Sequence, residues 1–179
     1  MADRLGDPTA RLQGRLTLNP IKHIDPIGSI VVPLITSMAG FTFGWAKPVP
    51  YEPRNLRNKR SGEFLIALAG PVSNLAIALI FGLLIRFIQQ GTMTPVIEIS
   101  AYIVLVNIVL AVFNLIPIPP LDGSKLLFSL LPNQYGRLRM QLESFAPILI
   151  VVVAFFLWRF ISPVIWPIFE AFTGIGFGG

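Results

Sequence analysis

Four stretches of this 179-residue chain carry at most one charge, and each is close to the length that crosses a bilayer. They are 26–46 (21 residues), Phe64–Ile85 (22 residues), Ile99–Leu121 (23 residues) and Ser144–Phe169 (26 residues, broken only by Arg159). About 20 apolar residues span the hydrocarbon as a helix. The rest of the chain cannot compensate for so much apolar surface. Hydrophobic residues make up 54%, charged residues 13%, and mean hydropathy is +0.71. A soluble domain carries about 25% charge, and a short chain cannot hide this much apolar area in one core. The composition excludes a soluble globular enzyme, a disordered chain and a collagen-like fibre. It points to an integral membrane protein with the lipid bilayer as its solvent.

The second, third and fourth stretches predict transmembrane helices over 64–88, 96–119 and 145–169, with Pro163 and Pro167 ending or kinking the last. The first stretch holds Pro26, Gly28, Pro33, Gly40 and Gly44, which is poor helix material. Charge argues the same way. Residues 1–23 hold four basic residues, the loop 46–63 holds five, and 89–95 holds none. If 64–85 and 99–121 both cross, the loops 46–63 and 120–145 share the cytoplasmic side. A crossing at 26–46 would then put the basic residues 1–23 outside, against the positive-inside bias. A re-entrant segment removes the conflict. The expected architecture is therefore all-α and polytopic, in one membrane-embedded domain, 1–179: three transmembrane helices plus a re-entrant segment within 1–46. Leu12, Leu16 and Leu18 alternate within 11–18, which predicts a short β-strand or hairpin there. Met1–Leu5 followed by Gly6 and Pro8 reads as the last turn of a helix with its left-handed glycine.

The net charge of +5 fits membrane loops better than nucleic acid, which is not an expected partner. There is no cysteine, hence no disulfide and no thiolate ligand or nucleophile. His23 is the single histidine, too few for a histidine zinc site, and no Ser/His/Asp set is present.

The strongest local feature is Asn114-Leu-Ile-Pro117-Ile-Pro119-Pro120-Leu121-Asp122-Gly123. Three prolines break the helix ladder, and a carboxylate follows them at the end of an uncharged span. Two readings stay open: a cavity or ion site at membrane depth, or a helix-end carboxylate at the water interface before a helix from Ser124. The second feature is Ala69-Gly70-Pro71-Val72-Ser73-Asn74. Ala67, Gly70, Ser73, Asn74 and Ala78 fall near one helix face, where small residues make a packing seam.

Together with Gly6-Asp-Pro-Thr-Ala10, Gly14 through Pro20, His23 through Gly28 and Ala46-Lys-Pro-Val-Pro50, these stretches resemble the site-2 protease family, the intramembrane zinc metalloproteases, in its short bacterial form. The resemblance covers roughly residues 1–130 in the family's order; the tail matches only as an apolar helix. It implies hydrolysis of peptide bonds in membrane-anchored protein substrates, in the bacterial inner membrane, with one zinc ion as cofactor. Asp122 of Leu-Asp-Gly would be a zinc ligand. Asn114 would hold the substrate carbonyl or oxyanion, and Leu16, Thr17 and Leu18 would bind substrate by strand pairing. Gly70, Pro71, Asn74, Pro117, Pro119 and Gly123 would be structural. One departure is large: the sequence contains no His-Glu-x-x-His, which supplies the family's other two ligands and its general base. In the family that motif precedes the residues matching Met1–Leu5. The expectation is a chain that begins just after its catalytic helix, through a mis-assigned start or a degraded copy, and is inactive alone. The alternative is a non-catalytic pseudoprotease or scaffold that binds transmembrane segments.

Overall fold

The computed structural model describes residues 1–38, 42, 44, 46–47, 49–88, 94–132, 135–145 and 158–176. Among them the chain is all helix, turn and loop, with no strand. It divides into two compact units, Met1–Gly62 and Glu63–Gly179.

The first unit opens with a 3-10 turn, Ala2–Leu5, that ends on Gly6 in the left-handed region (φ 109°). A Cβ on Gly6 would lie 3.1 Å from the Asn55 carbonyl oxygen, so close approach as well as φ calls for glycine. One helical turn follows, α1 (Thr9–Leu12). A π-helical stretch, Ile27–Val31, then runs into α2 (Val32–Met38). This apolar piece is too short to cross a bilayer.

The expected strand over 11–18 does not form. Gly14 adopts φ 62°, the Gly14 amide donates to the Arg11 carbonyl, and the Arg15 amide donates to the Ala10 carbonyl. Those bonds close a turn and use donors that a ladder would need. A strand also needs a paired neighbour to be stable.

The second unit is built on two long apolar helices, α3 (Lys59–Ile88), which enters it at Glu63, and α4 (Pro95–Asn114), each long and apolar enough to cross a membrane. The start of α3 is capped by Asn58, whose side-chain oxygen accepts from the Ser61 amide at 3.2 Å. Thr94 caps α4 by accepting from Ile97, with Pro95 at the first helical position. α4 stops at Asn114, earlier than the expected 119, because Pro117, Pro119 and Pro120 cannot donate to the ladder. Two short helices follow, α5 (Asp122–Leu130) and α6 (Gly136–Ser144).

The expected third span is described only in part, since 146–157 lie outside the described residues. What is described of it is α7 (Trp158–Thr173), which continues through Pro163 and Pro167 rather than ending at them. Tertiary packing holds it there. Ile161, Ile165 and Phe169 join Ala78 and Ile85 of α3 and Ile97, Val104 and Ile108 of α4 in one buried core. α3 and α7 approach closely at Gly82, where a Cβ would lie 2.8 Å from the Phe172 carbonyl oxygen. Arg86 then donates to the Ala171 (2.6 Å) and Phe172 (3.1 Å) carbonyls, closing the end of α7. The outward faces carry Leu79, Ile80, Leu83, Phe87, Val106 and Leu110 exposed, as lipid-facing helices do.

Candidate functional site

The turn between α4 and α5 places the candidate carboxylate. Leu115 extends α4 by donating to the Ala111 and Val112 carbonyls, and Ile116 donates to Phe113. After the prolines, which include a cis Pro119–Pro120 bond, Leu121 donates to the Ile118 carbonyl. Asp122 then opens α5, where the partial positive charge of the helix N-terminus favours a carboxylate. Gly123 lets the chain fold back this tightly. A Cβ there would lie 2.3 Å from both the Leu115 and Ile116 carbonyl oxygens.

Asp122 is half-buried, and its two oxygens have different surroundings. Oδ1 accepts from the Lys125 ammonium at 2.9 Å, one turn along α5. Oδ2 lies against α3 at Gly70, where a Cβ would stand 3.3 Å from it. Pro71 is buried inside α3 and cannot donate to the Ala67 carbonyl. Ser73 turns its hydroxyl back to the Gly70 carbonyl at 2.7 Å. Ala67 and Ala78 are fully buried, while Ser73 is exposed and Asn74 half-buried. The small-residue face thus packs closely at its alanines and opens at Ser73.

Asn114, the last residue of α4, is half-buried, and its side-chain amide has no hydrogen-bond partner among the described residues. An unengaged amide can donate to a carbonyl brought to it. One turn pair earlier, Asn107 already spends its amide on the Ile103 carbonyl at 2.8 Å.

Leu16, Thr17 and Leu18 lie in the first unit, in exposed bends rather than on a strand. His23 belongs to the same loop, and its Nε2 donates to the Thr17 carbonyl at 3.1 Å.

The residues present do not by themselves make a zinc site. Zinc takes three or four protein ligands, and the described residues contain no cluster of three or more His, Asp or Glu side chains that could hold a metal. Asp122 stands as one carboxylate, already facing an ammonium.

Two polar features escape reading from sequence. In the first unit Asp7 is fully buried, and its carboxylate accepts from the Thr9 amide and hydroxyl, the Glu52 amide (2.7 Å) and the Asn55 amide (2.9 Å). Burial alone would raise its pKa; the Thr9, Asn55 and Glu52 hydrogen bonds outweigh it and hold the group down at about 2. The local signal was Asp-Pro-Thr, an Asx-turn pattern, but its long-range partners have none. In the second unit Arg139 of α6 bridges Glu63 on α3 (3.1 Å) and Glu143 (2.8 Å), with its guanidinium 5.9 Å above the Phe128 ring. Burial works against its charge, but the bonds to Glu143 and Glu63 win and raise its pKa.

Comparison with known proteins bears on these groups. A sequence model of the family described as Peptidase family M50 matches residues 87–159. The chain is 39% identical over 178 residues to "Putative zinc metalloprotease YwhC" of Bacillus subtilis, covering 96% of this chain and 78% of that protein. It is 33% identical over 122 residues to "Putative zinc metalloprotease Rip2" of Mycolicibacterium smegmatis, covering 67% of this chain and 46% of the relative. It is 44% identical over 62 residues to "Putative zinc metalloprotease MJ0611" of Methanocaldococcus jannaschii, covering 35% and 31%. The chain thus spans under half the length of the last two. No solved structure matches.

Proposed function

The chain belongs to peptidase family M50, the site-2 protease family of membrane-embedded proteins, and from that premise we propose that it works in hydrolysing peptide bonds of membrane-anchored proteins. The observation that carries this reading is Asp122 itself. A carboxylate stands at the mouth of the α4–α5 turn, against the bare backbone of Gly70, where a substituent on α3 would crowd it. In this reading Asp122 is the chain's contribution to a one-zinc centre, and Asn114 is the amide donor that holds the scissile carbonyl. The 179 residues contain no His-Glu-x-x-His, so alone they supply one ligand and no base, and the isolated polypeptide is inactive. In the relatives, zinc and peptidase activity are what their names state.

The topology we propose with it is a multi-pass inner-membrane domain. α3, α4 and a helix over 145–169 cross, the segment 26–46 is re-entrant, and the loops 46–63 and 120–145 face the cytoplasm. Gly123, Pro117 and Pro119 shape the turn that carries Asp122, while Gly70, Pro71 and Asn74 shape the helix face opposite.

Zinc analysis of the purified 179-residue chain tests the reading. Substoichiometric metal is expected, because one carboxylate does not retain zinc through purification. A full equivalent, lost on Asp122→Ala, would overturn the claim of inactivity alone. Adding a membrane helix that bears His-Glu-x-x-His should bring zinc uptake that depends on Asp122; uptake indifferent to Asp122→Ala would remove that residue from the centre.

One observation favours a second reading. Asp122 already has a cation at 2.9 Å, the Lys125 ammonium, and a settled ion pair suits a non-catalytic pseudoprotease or scaffold that binds transmembrane segments. Under that reading the added helix brings no zinc uptake.

A further inference from the structure

The charge of this protein is unevenly placed. Residues 1–62 hold nine basic and four acidic side chains, whereas residues 63–179 hold five of each, so the first unit carries the whole net charge of +5. Its four carboxylates are engaged locally. Asp3 pairs with Arg11 at 2.8 Å, Asp7 is the buried hub, Asp25 accepts from the Ile27 and Gly28 amides, and Glu52 accepts from the Arg54 amide. Lys22 and Lys47 are exposed and have no carboxylate partner among the described residues. Their backbones run close together, because the Lys47 amide donates to the carbonyl of His23, the residue after Lys22, at 2.9 Å.

Between Arg15 and His23 the chain forms a loop closed on itself. The buried Arg15 guanidinium donates to the Lys22 carbonyl, the His23 ring donates to the Thr17 carbonyl, and the Asn19 side chain accepts from the Ile21 amide. With these polar groups bonded inward, Leu16, Leu18 and Ile21 project outward. Leu18 is fully exposed, and Leu16 and Ile21 are 61% and 71% exposed. Exposed apolar side chains on a loop that carries exposed Lys22 and bonds the Lys47 backbone, both lysines without a carboxylate partner among the described residues, match the two layers of a lipid interface, acyl boundary and headgroup phosphate.

We infer that the loop Arg15–His23, with Lys47, is a seat for anionic phospholipid: Leu16, Leu18 and Ile21 enter the acyl boundary while Lys22 and Lys47 bind headgroup phosphates. The inference does not rest on peptidase activity and is read without it.

The chain has no cysteine, so Leu18→Cys accepts one environment-sensitive fluorophore. The full chain is reconstituted in phosphatidylcholine bilayers, with and without about one third phosphatidylglycerol. Blue-shifted emission, quenched by brominated acyl chains and strengthened by phosphatidylglycerol, is expected. Lys22→Gln with Lys47→Gln should remove that strengthening, on the order of fivefold for each lysine. Water-like emission in both bilayers overturns the insertion, and an unchanged response in the double variant overturns the phosphate seat. Emission that shifts only when an extended peptide is added marks the loop as a peptide groove and overturns the proposal. A second measurement uses the unmodified chain: lipid retained after detergent extraction from an equal mixture should be enriched in phosphatidylglycerol, and a bulk ratio counts against the seat.

Discussion

The Cβ position of Gly70 lies 3.3 Å from Oδ2 of Asp122, so a glycine in the middle of one apolar helix leaves room for the carboxylate that opens another. Alanine at 70 asks a few tenths of an ångström of Asp122, and a larger residue cannot be seated without moving it. Gly70→Ala should fold normally. Gly70→Leu should rotate the Asp122 carboxylate and break its 2.9 Å pair with Lys125. Cross-linking or infrared spectroscopy of the carboxylate reads this, and an undisturbed pair in Gly70→Leu would show that the two helices are not held at this separation.

Gly123 has less latitude. Its Cβ position is 2.3 Å from two backbone carbonyl oxygens, which no rotamer change relieves. Gly123→Ala should destabilise the α4–α5 turn by about 1–3 kcal/mol, the usual range for overpacking. Unfolding in mixed detergent measures it; a neutral effect would mean the turn opens freely.

Asp7 should make the first unit acid-sensitive. Its folded pKa, about 2, is below the ordinary 3.8, so the folded state favours the charged form. The stabilisation is complete above the ordinary value and is lost as pH falls from about 3.8 through about 2. Limited proteolysis within residues 1–62 across that window should show opening. In Asp7→Asn the dependence should flatten, on a baseline lowered by roughly 1–3 kcal/mol for amides left without an acceptor. A wild-type profile that is flat from pH 4 to pH 2 would dismiss the hub.

Arg139 holds α6 to the start of α3 through Glu63, which is 4% exposed. Removing the arginine leaves a buried carboxylate with no other cation paired to it among the described residues. A fully buried pair broken this way costs about 3–5 kcal/mol, and a partly exposed arginine lowers that to roughly 1–3 kcal/mol. Arg139→Ala should therefore destabilise more than Glu143→Ala, whose carboxylate is half in water. Equal losses would place the strength of the contact in packing on Phe128 instead.

If peptidase activity is assembled with a His-Glu-x-x-His helix, Asn114→Ala should lower turnover by about 2.7–4 kcal/mol of transition-state stabilisation, with zinc uptake unchanged. Lost zinc uptake, or unchanged turnover, would move Asn114 out of the carbonyl-binding role.

The apolar spans, the left-handed Gly6 and a break of the helix ladder by the prolines were legible in the sequence alone, whereas the exact end of α4 at Asn114 and the place of Asp122 at the start of α5 were not. Each legible feature follows from local chemistry: hydropathy over about 20 residues, a missing N–H, a missing Cβ. The family was legible for a related reason, since short motifs in a fixed order survive without any tertiary knowledge. Tertiary contacts were needed to show that Leu12 ends a helical turn while Leu16 and Leu18 stand on a closed loop, so that none of the three lies on a strand. The same alternation serves either; here the Gly14 and Arg15 amides bond back to the Arg11 and Ala10 carbonyls, and the Arg15 guanidinium bonds the Lys22 carbonyl across the loop. Only the tertiary structure decided that α7 runs through Pro163 and Pro167, since packing of Ile161, Ile165 and Phe169 outweighs two lost ladder bonds. The partners of Asp7 and Glu63 stand 45 and 76 positions away along the chain, and no local pattern encodes a contact at that separation.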